Sequence, residues 1–276
     1  MERSLGIIDQ RKTSLLNREF IVKDFLKTSL CASLDVLGFQ DEINRAYREK
    51  QEEILLGEIE DILKSAADDL EDLHIRNPEV LTTLKFFTDN VVVGYHFMPP
   101  ISKIQLCCFC ELISDFQLSM ACKGFFIRGG ISIGTLASDE RIVFGDCLVK
   151  AHELEAQVAG NPRVILDLRL SNQSSSDLTF SNFRLMRDVD GYLFVNYLSA
   201  LLQIELDPRP GPRINEARLK VHKDQVEHRL QEKRHDPKVW NKYLWVANYH
   251  DAFCDRFQMK QYKINESLLR AQPVSL

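Results

Sequence analysis

Excess charge of one sign is missing from this sequence. Its 276 residues carry 35 Lys and Arg against 40 Asp and Glu, a formal net charge of −5, with the two signs mixed along the chain. No polycationic stripe marks a duplex nucleic-acid interface, so a nucleic-acid partner is not expected, and an anionic ligand would need a local solution such as a metal ion. Long apolar runs are missing too. None approaches the roughly 18 residues of a membrane span, and the N-terminal MERSLGIIDQRKTSLL lacks the apolar centre of a signal peptide. The expected compartment is the cytoplasm, with no membrane partner. Nor is there an even cysteine framework: of seven cysteines, Cys107, Cys108, Cys122 and Cys147 sit inside apolar runs, which suits reduced thiols. Cys107 and Cys110 have C-x-x-C spacing, yet QLCCFCELI reads as a buried helix face without a second ligand pair, so zinc or redox chemistry is not expected there. Internal repeats and low-complexity tracts are also absent.

What remains is an ordinary globular composition, 45% hydrophobic and 27% charged, in a chain long enough to bury a substantial core. Period-2 and period-3.6 segments alternate along it. KTSLCASLDVLGF (27–39) reads as a first strand ending at Gly38. Ile43, Tyr47, Ile54, Ile59, Ile62, Leu63, Ala66 and Leu70 then recur at helical spacing and predict one long helix over roughly 41–72, with Tyr47 on its core face. TLKFFTDNVVVGYHF (83–97) reads as a hairpin turning at Thr88, Asp89 and Asn90. A second apolar helix spans 101–123, FFIRGGISIG (125–134) is the next strand, 146–159 a third helix, and RVILDL (163–168) a further strand. SNQSSSD (171–177) is a polar loop, 188–198 a turn feeding a strand, DPRPGPR (207–213) an irregular break, and 214–233 and 238–256 are helical.

Strand, helix, hairpin, helix, strand is the β-α-β-β-α-β order of a ferredoxin-like α+β fold, with helices over one face of an antiparallel sheet. In that topology the end of the first strand and the hairpin turn meet, so Asp35 and Asp89 become neighbours. Two close carboxylates repel unless a cation lies between them, and a few hard oxygen ligands suit Mg²⁺ or Mn²⁺. The plainer alternative leaves Asp35 at the start of an exposed turn and Asp89 as an ordinary hairpin aspartate. Arg128, beside Gly129 and Gly130, is either an anion-binding side chain or an exposed strand arginine.

SLDVLGF, FTDNVVV and FIRGGISIG…IVFGDCLVKAHELE, followed by NPRVIL, resemble the successive blocks of class III nucleotidyl cyclases, and most of all the pyrimidine cyclases of Pycsar antiphage systems. The resemblance covers roughly residues 27–168; VNYL (195–198) and KYLWVANYH (242–250) are also similar to that family's tail. It implies an N-terminal segment (1–26), a catalytic domain (27–170) and a C-terminal extension packed on it (171–276). It further implies that Asp35 and Asp89 ligate two Mn²⁺ or Mg²⁺ ions, helped by the backbone carbonyl of Val36, while Gly38, Phe39 and Arg128 contact the nucleotide. The implied reaction converts UTP, or else CTP, into the cyclic 3′,5′-monophosphate and pyrophosphate in a homodimer with shared pockets, the product acting on a separate effector. Departures accompany the matches. Val149 and Glu153 stand where adenylyl and guanylyl cyclases carry the Asn and Arg that stabilise the transition state, and Ile142 where those enzymes select a purine. Either the chain is catalytically silent or its pocket uses other groups and another base.

Overall fold

The structure, a computed structural model, describes residues 26–76, 82–139, 141–170, 184–203 and 213–270. The loop expected at 171–177 lies outside these residues, as does most of the break at 207–213.

Strand β1, Lys27–Val36, runs through the middle of the sheet. Its β-rich alternation sends Leu30, Ala32, Leu34 and Val36 to one face and Cys31, Ser33 and Asp35 to the other. The expected single helix is two: α1, Phe39–Glu49, and α2, Glu52–Arg76. The break falls at Lys50, which adopts a left-handed φ of 56° while Gln51 N–H bonds back to Ala46 C=O at 2.8 Å, a helix-ending turn made without glycine. The hairpin is β2, Thr82–Phe87, and β3, Asn90–His96. Helix α3, Lys103–Cys122, starts with a capping box in which Ser102 and Gln105 bond each other's backbone N–H. Strand β4, Ile127–Ser138, pairs with the short β5, Val143–Phe144. Helix α4, Asp146–Leu154, changes winding at Glu155 into a π turn that runs to Ala159, and β6, Val164–Leu166, follows.

β1 pairs antiparallel with β3 on one side and β4 on the other, and β2 extends the sheet beyond β3, giving the local order β2-β3-β1-β4. The sheet then continues through β6, parallel to β4, to β8, Leu193–Val195, and β7, Leu185–Arg187, both antiparallel. The protein is thus a mixed α+β fold with a mainly antiparallel sheet. Residues beyond 171 contribute β8 and β7 to this sheet.

Side chains from α1, α2 and α3 fill the core over the Leu30 face, with Phe39, Ile59, Ile62, Phe109, Ile113 and Phe116 buried there. By length and composition α3 could cross a membrane, at a mean hydropathy of 1.2, but 61% of that window is buried inside the protein. Cys110 lies in this core, where burial pushes its thiol far above the usual range. The opposite face of β1 and β4 is covered by α4, where Cys31, Val92, Leu136 and Cys147 form a smaller cluster. A third cluster joins Phe126, Leu154, Ile165 and Phe194 to α5, Glu216–Glu232, and α6, Pro237–Arg256.

Candidate active site at the end of the central strand

Three segments meet where β1 ends. Val36 N–H donates to Asp89 C=O at 2.9 Å, tying the strand to the hairpin turn, and Leu37 N–H donates to Phe126 C=O at 2.8 Å, tying it to the residues before β4. Gly38, with φ of 71°, then turns the chain into α1, and its carbonyl accepts the Asp41 N–H at 3.0 Å. No side chain caps the first turn of α1.

The register puts Asp35 opposite Asn90 on one side and Arg128 on the other. Asp35 is only 16% exposed in its side chain, and its Oδ2 accepts from Arg128 Nε at 2.7 Å. The same guanidinium reaches a second acid: Arg128 Nη2 lies 3.0 Å from Glu155 Oε1, an ion pair without hydrogen-bond geometry. Glu155 Oε2 in turn lies 3.2 Å from His152 Nδ1. Asp89 Oδ1 accepts from Thr88 Oγ1 and Asn90 Nδ2, each at 2.8 Å, which holds its carboxylate at the turn. Burial pushes the Glu155 carboxyl above its ordinary value; Arg128 and His152 pull it down, while the negative charges of Asp35 and Asp89 push it further up. Lys242, on α6, belongs to the same field. Burial lowers its pKa first, Arg128 and Lys238 add to the effect, and Asp35 and Asp236 oppose it.

Asp35, Val36, Asp89 and Arg128 are therefore gathered at one end of the sheet, with Gly38 and Phe39 on the turn that leaves it. The Phe39 ring is largely buried, packing edge-on against Phe86 and Phe125. Arg128 is engaged by two carboxylates rather than standing as an exposed strand arginine. Val149, 59% exposed, and Ile142, 53% exposed, face outward, and Glu153 is exposed beside Lys150 Nζ at 3.1 Å. Tyr47, expected in the core, is 68% exposed, because the break at Lys50 ends α1 one turn later and detaches its face from that of α2. It stands between two clefts. One, of about 330 Å³, is lined by Phe39, Ile43, Leu55, Phe86 and Thr88; the other, of about 680 Å³, by Asp41, Arg45, Arg48, Glu232 and Lys233. Among the described residues, no three His, Cys, Asp or Glu side chains converge as a ready-made metal cage.

Glu155, His152 and Lys242 were not singled out from the sequence. Glu155 closes the HELE block and Lys242 opens the KYLWVANYH block of the resemblance, so each lay within a recognised stretch, but nothing in the sequence placed either beside Arg128.

No family model matches the chain, and no curated protein matches it in sequence. Among solved structures it is similar to the guanylyl cyclase Cya2, at 13% identity and a TM-score of 0.34, over 62% of this chain and 91% of that one. At that identity and score the likeness assigns neither family nor activity.

Proposed function

We propose that this chain is a class III-type nucleotidyl cyclase built on a ferredoxin-like core, acting on a pyrimidine nucleoside triphosphate, UTP ahead of CTP. The observation that carries the reading is the meeting of Asp35 with the Asp89 turn at the end of β1, directly before the Gly38 turn into α1. The blocks of sequence that resemble such cyclases contain all three.

The donor set fits a hard divalent cation. Two carboxylates and the Val36 carbonyl supply few protein ligands, all oxygen, which suits Mg²⁺ or Mn²⁺ ions that keep water and substrate phosphates in their shells. Two such ions would supply a lowered pKa at the ribose 3′-hydroxyl and charge neutralisation on the departing pyrophosphate. The chain's own part is placement. Asp35 and Asp89 fix the charge at one point, the N–H groups of Phe39 and Gln40, which no side chain caps, donate to phosphate oxygens, and Lys242 and Arg128 offset part of the negative charge of Asp35, Asp89 and Glu155. The 3′-hydroxyl gives its proton to solvent and its oxygen bonds to the α-phosphorus as the bond from that phosphorus to the α,β-bridging oxygen breaks, yielding the cyclic monophosphate and pyrophosphate. The reading extends to a homodimer with shared pockets, whose product acts on a separate effector in antiphage defence, parts that rest on the resemblance alone, and to a cytoplasmic location, which rests on the composition of the sequence.

A second reading, a catalytically silent nucleotide-binding module, is favoured by the outward-facing Val149 and Glu153. Incubating the protein with Mn²⁺ and each of the four nucleoside triphosphates separates the two. Pyrophosphate and a cyclic product from one pyrimidine substrate support the cyclase; binding without turnover supports the silent module and removes the first reading.

A further inference from the structure

We infer that Glu155 is a positioning residue that, through Arg128, sets the orientation of Asp35 and the divalent-cation affinity of the site. The inference rests on the cyclase reading for its meaning but not for its test.

An acid as enclosed as Glu155, with 3% of its side chain exposed, is costly unless it is paired. Its two oxygens lie against Arg128 Nη2 at 3.0 Å and His152 Nδ1 at 3.2 Å. Arg128 spends its Nε on Asp35 Oδ2 at 2.7 Å. A guanidinium is planar with its donors in a fixed fork, so the hydrogen bond from Nε to Asp35 and the charge of Glu155 beside Nη2 together hold it in one orientation, and that orientation sets the carboxylate it holds. Asp35 is thereby presented by a chain of side chains that begins under α4.

The backbone holds the far end of that chain in place. A Cβ at Gly130 would lie 2.4 Å from Ala151 O, 2.5 Å from Leu154 Cβ and 3.2 Å from Glu155 N. The last turn of α4 therefore rests on β4 itself, two residues beyond Arg128. At Glu155 the winding changes from α to π, a local irregularity that recurs at functional sites.

Without Glu155, Arg128 has one carboxylate partner instead of two. Its positive charge then bears more fully on Asp35 and competes with any cation there. Partners one layer behind metal ligands alter affinity by 10- to 100-fold when removed, so Glu155→Ala is expected to weaken Mn²⁺ binding about tenfold. Glu155→Gln, which keeps the volume and an acceptor for Arg128 but not the charge, falls between the two.

The test is a Mn²⁺ titration of the nucleotide-free protein by electron paramagnetic resonance, with thermal unfolding of each variant and, where turnover exists, a split of kcat from KM. The expected result is a weakened Mn²⁺ dissociation constant in folded Glu155→Ala or Glu155→Gln, and a fall in kcat larger than the rise in KM. Folded variants with the wild-type constant overturn the inference while leaving the cyclase reading untouched. Should Glu155→Ala not fold, Glu155→Gln decides alone. A wild-type protein that binds Mn²⁺ with Glu155-dependent affinity but turns over no triphosphate supports the inference and sinks the cyclase reading. A nucleotide-free wild-type protein that binds no Mn²⁺ overturns the inference, and the triphosphate panel alone then decides the cyclase reading.

Discussion

Acidification should destabilise the C-terminal layer through a pair of buried histidines. His222 of α5 and His250 of α6 are fully buried, with rings stacked 5.1 Å apart and 11° from parallel. Their hydrogen bonds run in one direction. Tyr262 C=O can only accept, so His250 Nε2, 2.9 Å away, carries a proton and His250 Nδ1 is an acceptor. His222 Nδ1, 3.0 Å from it, is therefore the donor, His222 Nε2 the acceptor, and Tyr197 O–H donates to it at 2.8 Å. A proton added at His250 Nδ1 sets N–H against N–H inside the core, and one added at His222 Nε2 removes the acceptor of the Tyr197 hydroxyl, which must turn round. Burial pushes both pKa values down. His250 adds to the effect at His222, while at His250 the Tyr262 carbonyl, Asp251 and Glu227 partly oppose it and Lys223 reinforces it.

Because the folded chain resists protonation that the unfolded chain accepts, stability is whole above the unfolded value of about 6.5 and falls as pH drops below it. For a histidine that stays neutral when folded, linkage costs about 1.4 kcal/mol between pH 7.5 and 5.5, so the pair costs at most about 3 kcal/mol. Urea unfolding at the two pH values measures the difference. Buried His96, whose pKa is also lowered by burial and then Lys27, adds to the total. The control is therefore Tyr197→Phe/His222→Leu/His250→Leu, which keeps His96 and should lose most of the slope. A wild-type loss under about 1 kcal/mol, or an equal loss in the triple variant, would refute the reasoning.

Arg229→Met should cost about 3 kcal/mol in chemical denaturation, because buried Arg229 joins Glu42 on α1, Glu232 on α5 and the Gly124 carbonyl after α3. Adding Glu42→Gln to that variant should restore part of the loss. Gly130→Ala should cost about 3 kcal/mol and lower any turnover, since its methyl group would drive Ala151 and Leu154 away from β4; wild-type melting would contradict this contact. Asp35→Asn and Asp89→Asn should each reduce pyrophosphate release by at least about a hundredfold while leaving folding intact, with turnover at the wild-type rate as the contrary result.

Much of the fold was readable because the elements near the site follow simple periods. β1 alternates cleanly, TDN marks the hairpin, and Lys123-Gly124 and Gly160-Asn161-Pro162 stop their helices. Strand order then put Asp35 opposite Asn90 and Val36 N–H on the Asp89 carbonyl. The break at Lys50 was not readable, since neither glycine nor proline marks it and a lysine takes the left-handed turn. The π turn at Glu155 leaves no local signature either, because the helical pattern simply continues through it. Arg229, Lys242 and the strands β7 and β8 reach the central unit only through tertiary packing. A strand at 188–198 was readable, but its pairing with β6 and the docking of the C-terminal helices are tertiary and no local pattern encodes them.

The central claim is that Asp35 and Asp89 grip a divalent cation beside a triphosphate at the end of β1. Anomalous diffraction from crystals grown with Mn²⁺ and a non-cyclisable UTP analogue tests it directly. The account predicts manganese within coordination distance of both carboxylates, with the triphosphate against the Gly38–Phe39 turn. Manganese bound elsewhere, or nucleotide bound with Asp35 still closed on Arg128 and no metal between, would contradict it.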